Sequence, residues 1–267
     1  MRSRRLFALI LAGLGALGVV VAQRHSVRDF IDEEDNPVPI PADANDKHEY
    51  AFARLRYMPK KNGYFGRGGG AWSTDYPKAD RQFVQGVRRL TRVSAKSIEQ
   101  VVELTSDDFM DFPWMYAVEV GRWDFDEKQA GRLREFLLKG GFLMVDDFHG
   151  EFEWSVFAQG IQKVFPDRPI VDIDNKDAIF HVLYNLDERF QVAGIQMFFT
   201  GSISENGGVE AKWRAIRDDK GRVMVAICHN MDLGDAWEWA DHPRYPENFA
   251  SLAYRVGINY IIYSMTH

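Results

Sequence analysis

Asp146-Asp147-Phe148-His149-Gly150, with Glu151 next, places three carboxyl groups and an imidazole within six residues. Such a set can hold a cation, bind a sugar or move a proton. The apolar run Phe142-Leu143-Met144-Val145 precedes it, and an amphipathic helix ending in Gly140-Gly141 precedes that run. Helix, tight turn, buried strand and a polar cluster closed by glycine is the layout of an open α/β sheet. Ligands in such sheets bind beyond the carboxyl ends of the strands. If the strand runs on through both acids, Asp146 and Asp147 face opposite sides. One of them is then expected to cap the following helix, rather than the two forming a paired general acid and base.

A second polar cluster, Cys228-His229-Asn230-Met231-Asp232-Leu233-Gly234-Asp235, also ends an apolar run. His229, Asp232 and Asp235 can join Asp146, Asp147 and His149 at one sheet edge. Converging groups of this kind suit a divalent metal with oxygen and imidazole ligands. The spacing matches no standard metal motif, and Asx-type turn chemistry accounts for the same residues. A third set is Trp72-Ser73-Thr74-Asp75-Tyr76-Pro77 with Gly121-Arg122-Trp123-Asp124. Arg122 leaves the end of a strand, where it can meet an anionic or sugar-like ligand or pin a loop. The candidate ligand-binding residues are therefore Asp75, Arg122, Asp146, Asp147, His149, His229 and Asp232. No catalytic residue is singled out, and the only cofactor indicated is such a metal. His181 and His242 read as structural.

The elements that must position these groups follow from periodicity. Tyr50 to Met58 alternates and predicts a first strand with Phe52, Arg54 and Arg56 on one face, stopped by Pro59. Arg54, Arg56, Lys60, Lys61 and Arg67 read as a solvated strand edge and loop. The glycine-rich stretch 62–70 lacks a phosphate-loop Lys-Ser/Thr and reads as a connector or lid. A helix begins near Pro77 with Phe83, Val87 and Leu90 inward. Val101–Leu104 and Met115–Val120 are strands. Asp124 to Glu127 caps a helix with Ala130, Leu133, Phe136 and Leu137 inward. Trp154–Val164 is helical and Ile170–Ile173 a strand. Trp213–Arg217 and Arg222–Ile227 form a hairpin about Asp218-Asp219-Lys220-Gly221. A last helix spans about Glu247 to Ser264, with Leu252, Val256, Tyr260 and Tyr263 on one face. Alternating strands and helices imply a mainly parallel sheet with an antiparallel hairpin extension.

Of the 267 residues, 46% are hydrophobic and 13% aromatic, enough for a real core. A net charge of -6 argues against nucleic-acid binding. The lone Cys228 excludes an intrachain disulfide and a cysteine-based zinc site, and its apolar run suggests a buried thiol. Residues 1–22 read as a signal peptide: Arg2, Arg4 and Arg5, then an uncharged Leu6 to Ala22. Ser3-Arg4-Arg5-Leu6-Phe7 suits a twin-arginine signal as well as ordinary secretion. Residues 23–47 are an acidic, proline-rich linker, and 48–267 a single α/β domain. These features predict export to the periplasm or cell envelope, with membrane contact only through an uncleaved leader.

WSTDYPKAD at Trp72–Asp80, Glu119-Val120-Gly121-Arg122-Trp123, GGFLMVDDFHG at Gly140–Gly150, Phe165-Pro166-Asp167-Arg168 and Gly257-Ile258-Asn259-Tyr260 with Tyr263 to His267 are family-like. They resemble the bacterial domain-of-unknown-function family 4159 from about residue 49 onward. The resemblance implies a class I glutamine amidotransferase-like, flavodoxin-like sandwich of parallel strands between helices. Catalytic members of that superfamily carry a cysteine on a strand-to-helix turn. The equivalent turn here is Asp146–Gly150, with Phe148 or His149 at the elbow and no thiol, so the glutaminase reaction is not expected. The expected function is an exported module that binds a small polar ligand or an envelope protein partner at the sheet edge. The alternative is an envelope hydrolase acting on a carbohydrate or amide through Asp/His chemistry.

Overall fold

The structure, a computed structural model, describes residues 41–43, 46–59 and 71–267. The expectations for the leader, for most of the linker and for the glycine-rich stretch 62–70 lie outside the described residues. Seven strands form one sheet in the order β3-β1-β4-β6-β9-β8-β7. They are β1 (Ala53–Arg56), β3 (Gln100–Glu103), β4 (Trp114–Val118), β6 (Phe142–Asp146), β7 (Val171–Asp172), β8 (Lys212–Arg217) and β9 (Val223–His229). A separate small ribbon pairs β2 (Met58–Pro59) with β5 (Trp123–Asp124). From β3 to β9 every pairing is parallel; β8 and β7 add an antiparallel edge. The hairpin extension is as expected from sequence. In chain order the five parallel strands lie second, first, third, fourth, fifth, so the winding reverses between β1 and β4.

Among the described residues, six α-helices accompany the sheet: α1 (Lys78–Leu90), α2 (Glu127–Leu138), α3 (Gly150–Val164), α4 (Met197–Thr200), α5 (Leu233–Glu238) and α6 (Glu247–Thr266). One face of the sheet packs on α2 and α3, where Leu55, Met115, Ala117, Leu143 and Val145 meet Leu133, Leu137, Phe157 and Ile161. The other face is aromatic. Phe83 of α1 lies 4.2 Å from Trp237 of α5 and 5.7 Å from Phe52, and Phe142 lies 5.9 Å from Tyr260 of α6. Each fully buried Phe or Leu side chain contributes about 1.5–3 kcal/mol of transfer free energy. With helices on both faces the central strands β4 and β6 are buried along their whole length. Among the described residues, no helix is long and apolar enough to cross a membrane.

Several expectations need correction. Arg54 is not part of a solvated edge: it is fully buried under α1, paired with Asp80. Leu90 is 54% exposed rather than inward, because α1 ends there. The cap of α2 is Asp126, two residues beyond Asp124; it accepts from the Gln129 amide while the Gln129 side chain accepts from Asp126 N–H. Helix α3 starts at Gly150, ahead of Trp154. Neither Asp146 nor Asp147 caps it: the N-cap position is His149, whose side chain makes no capping bond.

Candidate functional site

The carboxyl ends of β1, β4, β6 and β9 each lead into a loop that supplies an acid to one crevice. After β1 comes Asp75, after β4 Glu119, after β6 Asp146 and Asp147, and after β9 Asp232 and Asp235. Among these segments a non-glycine residue takes positive φ at Asp75 (60°), Glu119 (55°), Asp147 (52°) and Asn230 (64°), the last three directly after β4, β6 and β9. Asp and Asn tolerate this region better than other side chains, yet it still costs free energy and needs surrounding structure to hold it. At Asp147 the turn ends the strand alternation, so Asp146 and Asp147 do not diverge as a continued strand would require.

Backbone bonds lash the loops together. Asp147 N–H donates to Met231 O (3.1 Å), Asn230 N–H to Phe148 O (3.0 Å), Glu119 N–H to Asp146 O (3.1 Å) and Asp232 N–H to Val192 O (3.1 Å). Gly150 N–H donates to the Asn230 side-chain oxygen (2.9 Å). Gly150 has φ 68°, and a Cβ there would lie 2.1 Å from Asn206 O, so only glycine fits. Arg54 anchors the first loop: it holds Asp80 through two bonds and donates to the carbonyls of Trp72 (3.1 Å) and Thr74 (2.9 Å), just ahead of Asp75.

Asp75, Asp147 and Asp232 each offer a carboxyl oxygen, and these oxygens all lie within 4.8 Å of one another. Asp75 stands in the same relation to Asp235 and Glu238. Asp232 also caps α5, accepting from Asp235 N–H (2.8 Å), which is the Asx chemistry foreseen as its alternative. Asp146 turns out to be a capping acid for α5 too: its Oδ2 accepts from Leu233 N–H (2.7 Å), Gly234 N–H (3.1 Å) and the Tyr116 hydroxyl (3.2 Å). Its Oδ1 and Asp75 Oδ2 are buried atoms without a hydrogen-bond partner.

His149 Nε2 lies 3.2 Å from Asp147 Oδ1 and 3.9 Å from Glu205 Oε1, and its Nδ1 is buried without a partner. His229 belongs elsewhere. Its ring stacks on Phe148 and lies 4.9 Å from Trp154, its Nε2 meets Gly150 O at 3.2 Å, and burial pulls its pKa down to about 4. Arg122 is tied to Glu119 (3.1 Å) at the rim.

The electrostatics follow from acids crowded out of water. Burial, then Asp147, pushes the Asp146 carboxyl up to about 8 and Glu119 to about 9. Glu205 rises to about 7 through burial, against the pull of His149. Asp75 is held well above the usual carboxylate range by burial and then by Asp235, Glu238 and Asp147; Asp232 by burial and then Asp147 and Asp235. Burial opposes a charged His149, but Asp147, Glu205 and Glu153 outweigh it and raise its pKa. Among the described residues, Arg122, Arg54 and His149 are the cations whose charge these acids feel, and Arg122 and Arg54 each already hold an acid of their own.

The structure thus gathers Asp75, Asp146, Asp147, His149 and Asp232, leaves Arg122 at the rim and sends His229 into an aromatic stack. Sequence reading missed Glu119, Glu153, Glu205 and Glu238. Glu119 lies inside the predicted strand Met115–Val120, one residue past the observed end of β4, and Glu238 sits one turn beyond Asp235, so both left a trace. Glu205 arrives on the long connection between β7 and β8, where spacing gives no signal.

A mainly parallel α/β sheet covered by helices, with an acidic crevice where its winding reverses, defines the class of this protein. The chain belongs to the family described as domain of unknown function (DUF4159), whose model matches residues 51–265. That span includes nearly all of the motifs on which the resemblance rested. Among curated proteins none matches the chain.

Proposed function

We propose that this protein is an exported α/β module that binds a small, positively charged polar ligand in the crevice at the carboxyl edge of its sheet. One observation carries the reading: the oxygens of Asp75, Asp147 and Asp232 converge within 4.8 Å. Like charges so close, and so poorly hydrated, call for a counter-charge. Ligand sites at a winding reversal are the rule for open α/β sheets. The strand order second-first-third-fourth-fifth is that of flavodoxin-like folds and supports a place in the glutamine amidotransferase-like superfamily. Glutaminase chemistry is not part of the reading. Cys228 is fully buried on β9, and burial lifts its thiol well above the ordinary value. Export rests on the basic and apolar composition of residues 1–22, and periplasmic fractionation of the full chain tests it.

The functional test is a thermal-shift series on the purified protein with divalent salts, polyamines and amino sugars, run beside Asp147→Ala. The reading expects a stabilising ligand for the parent that the variant does not answer. If no charged ligand shifts the parent, or the shift survives in Asp147→Ala, the reading fails.

A second reading, the envelope hydrolase, is favoured by the 3.2 Å contact of His149 with Asp147. An imidazole held at Nε2 by a carboxylate keeps Nδ1 for general-base work. Hydrolysis of a cell-wall amide or glycan that disappears in His149→Gln would favour it. Arg122, engaged by Glu119, is poorly placed to steady developing negative charge.

A further inference from the structure

We infer that the crevice is a divalent-cation site in which Asp75, Asp147 and Asp232 supply carboxylate oxygens to one ion. This deepens the proposed function and rests on it, replacing "positively charged ligand" with a hard metal ion. Two unpartnered buried oxygens, one on an acid beside the cluster and one on an acid within it, point to an occupant. Asp146 is fully buried, yet its Oδ1 has no hydrogen-bond partner, although Oδ2 of the same carboxylate has three. Asp75 Oδ2 is also a buried atom without a partner. Both acids border Gly234: a methyl group there would sit 2.6 Å from Asp75 Oδ2 and 2.9 Å from the Tyr116 hydroxyl, which donates to Asp146, and Asp146 Oδ2 itself accepts from Gly234 N–H. Leaving buried acceptors bare costs about 1–3 kcal/mol each, more when they are charged.

The spacing and chemistry of the oxygens favour a bare ion over an organic cation. The oxygens press against backbone: a Cβ on Gly194 would meet Asp232 Oδ2 at 2.2 Å and Asp235 Oδ2 at 2.6 Å. Glycine at 194 and 234 leaves room for these oxygens against the backbone. Oxygens within 4.8 Å of one another fit around an ion at metal–oxygen distances of about 2.0–2.6 Å. An all-carboxylate set suits magnesium, calcium or manganese; the softer ligands that select zinc or copper are missing from it. His149, on Asp147 Oδ1, then serves as the outer partner that orients a ligating carboxylate. The set built on Asp235 and Glu238 is less open, since Asp235 already accepts from Ile195 N–H (2.5 Å) and the Trp239 indole (3.2 Å).

The test is calorimetric titration of the full chain, stripped with a chelator, with magnesium, calcium and manganese chlorides and separately with spermidine. The variants are Asp75→Asn, Gly234→Ala and, as an exposed control, Asp219→Asn. The inference expects saturable binding of one metal ion, weakened about tenfold or more by Asp75→Asn and by Gly234→Ala, and unchanged in Asp219→Asn. Gly234→Ala closes the space without removing a carboxylate, so it decides the matter if Asp75→Asn does not fold. Spermidine binding without metal binding overturns the inference and leaves the proposed function standing. Binding of neither overturns both. Metal binding that both site variants retain places the ion elsewhere and also overturns the inference.

Discussion

Two buried acidic places in this molecule lie one loop apart and are built on opposite plans. At Asp80 the protein supplies its own counter-charge: Arg54 reaches it from β1 through two bonds and spends its remaining donors on Trp72 O and Thr74 O. At Asp75, Asp147 and Asp232 the acids converge on one another instead. Asp80 is fully buried and Asp75 half-buried, but the sharper difference is compensation. The contrast teaches that the first place is a positioning device, a fixed charge pair that presents the Asp75 loop. The second is kept short of positive charge. A buried ion pair rarely adds net stability, but removing half of it is severe.

The largest way to break the comparison is Arg54→Met. Asp80 would be left buried and unpaired and two carbonyls would lose their donor, so urea denaturation should show a loss of about 3–5 kcal/mol. Ligand binding at Asp75 should fall as well, because its loop loses its anchor. A variant that stays as stable as the parent would remove the distinction between the two places.

Next in size is the response to pH. Asp146, Glu119 and Glu205 keep protons in the folded chain up to about 8, 9 and 7, whereas the unfolded chain releases them near pH 4. The folded state then binds more protons, so stability falls as pH rises through those values. His149, raised above its ordinary value, contributes stability that is lost in the same direction. His229, lowered to about 4, acts oppositely, but only below about pH 6.5. Melting of the metal-free protein should therefore fall steadily between pH 6.5 and 9, and a bound divalent ion should flatten that slope. A metal-free protein that is more stable at pH 9 would contradict the crowding of acids.

The smallest effect has the opposite sign to the first. Asp147→Asn keeps a side chain that tolerates φ 52° and removes one charge from the crevice. The ligand-free variant should gain about 1 kcal/mol, at the expense of binding. A clear loss of stability instead would mean that Asp147 is paired as firmly as Asp80.

What the sequence disclosed of this contrast was uneven, for physical reasons. Strands ending in polar clusters were visible at Val145–Asp147 and Ile227–Asp232, because apolar runs of strand length stand out against turn chemistry. The parallel sheet and its hairpin followed from the same punctuation. Arg54 was misplaced because alternation assigns one strand face to solvent, and here α1 covers that face. Glu205 is out of reach because the long connection that brings it in leaves no period. One of the two acids is expected from sequence to cap the next helix in the chain; the cap Asp146 provides is for α5, which only the sheet order brings near.

The positions of the three converging acids, 75, 147 and 232, also bear on how the chain is held closed. The sequence carries a single cysteine, Cys228, so no internal disulfide can tie distant segments together. An ion held by three loops so far apart in sequence would be a reversible cross-link, absent from the unfolded chain. By mass action such a ligand adds about 2.7 kcal/mol at one hundred times its dissociation constant. Resistance to proteolysis would then track the ion content of the surroundings.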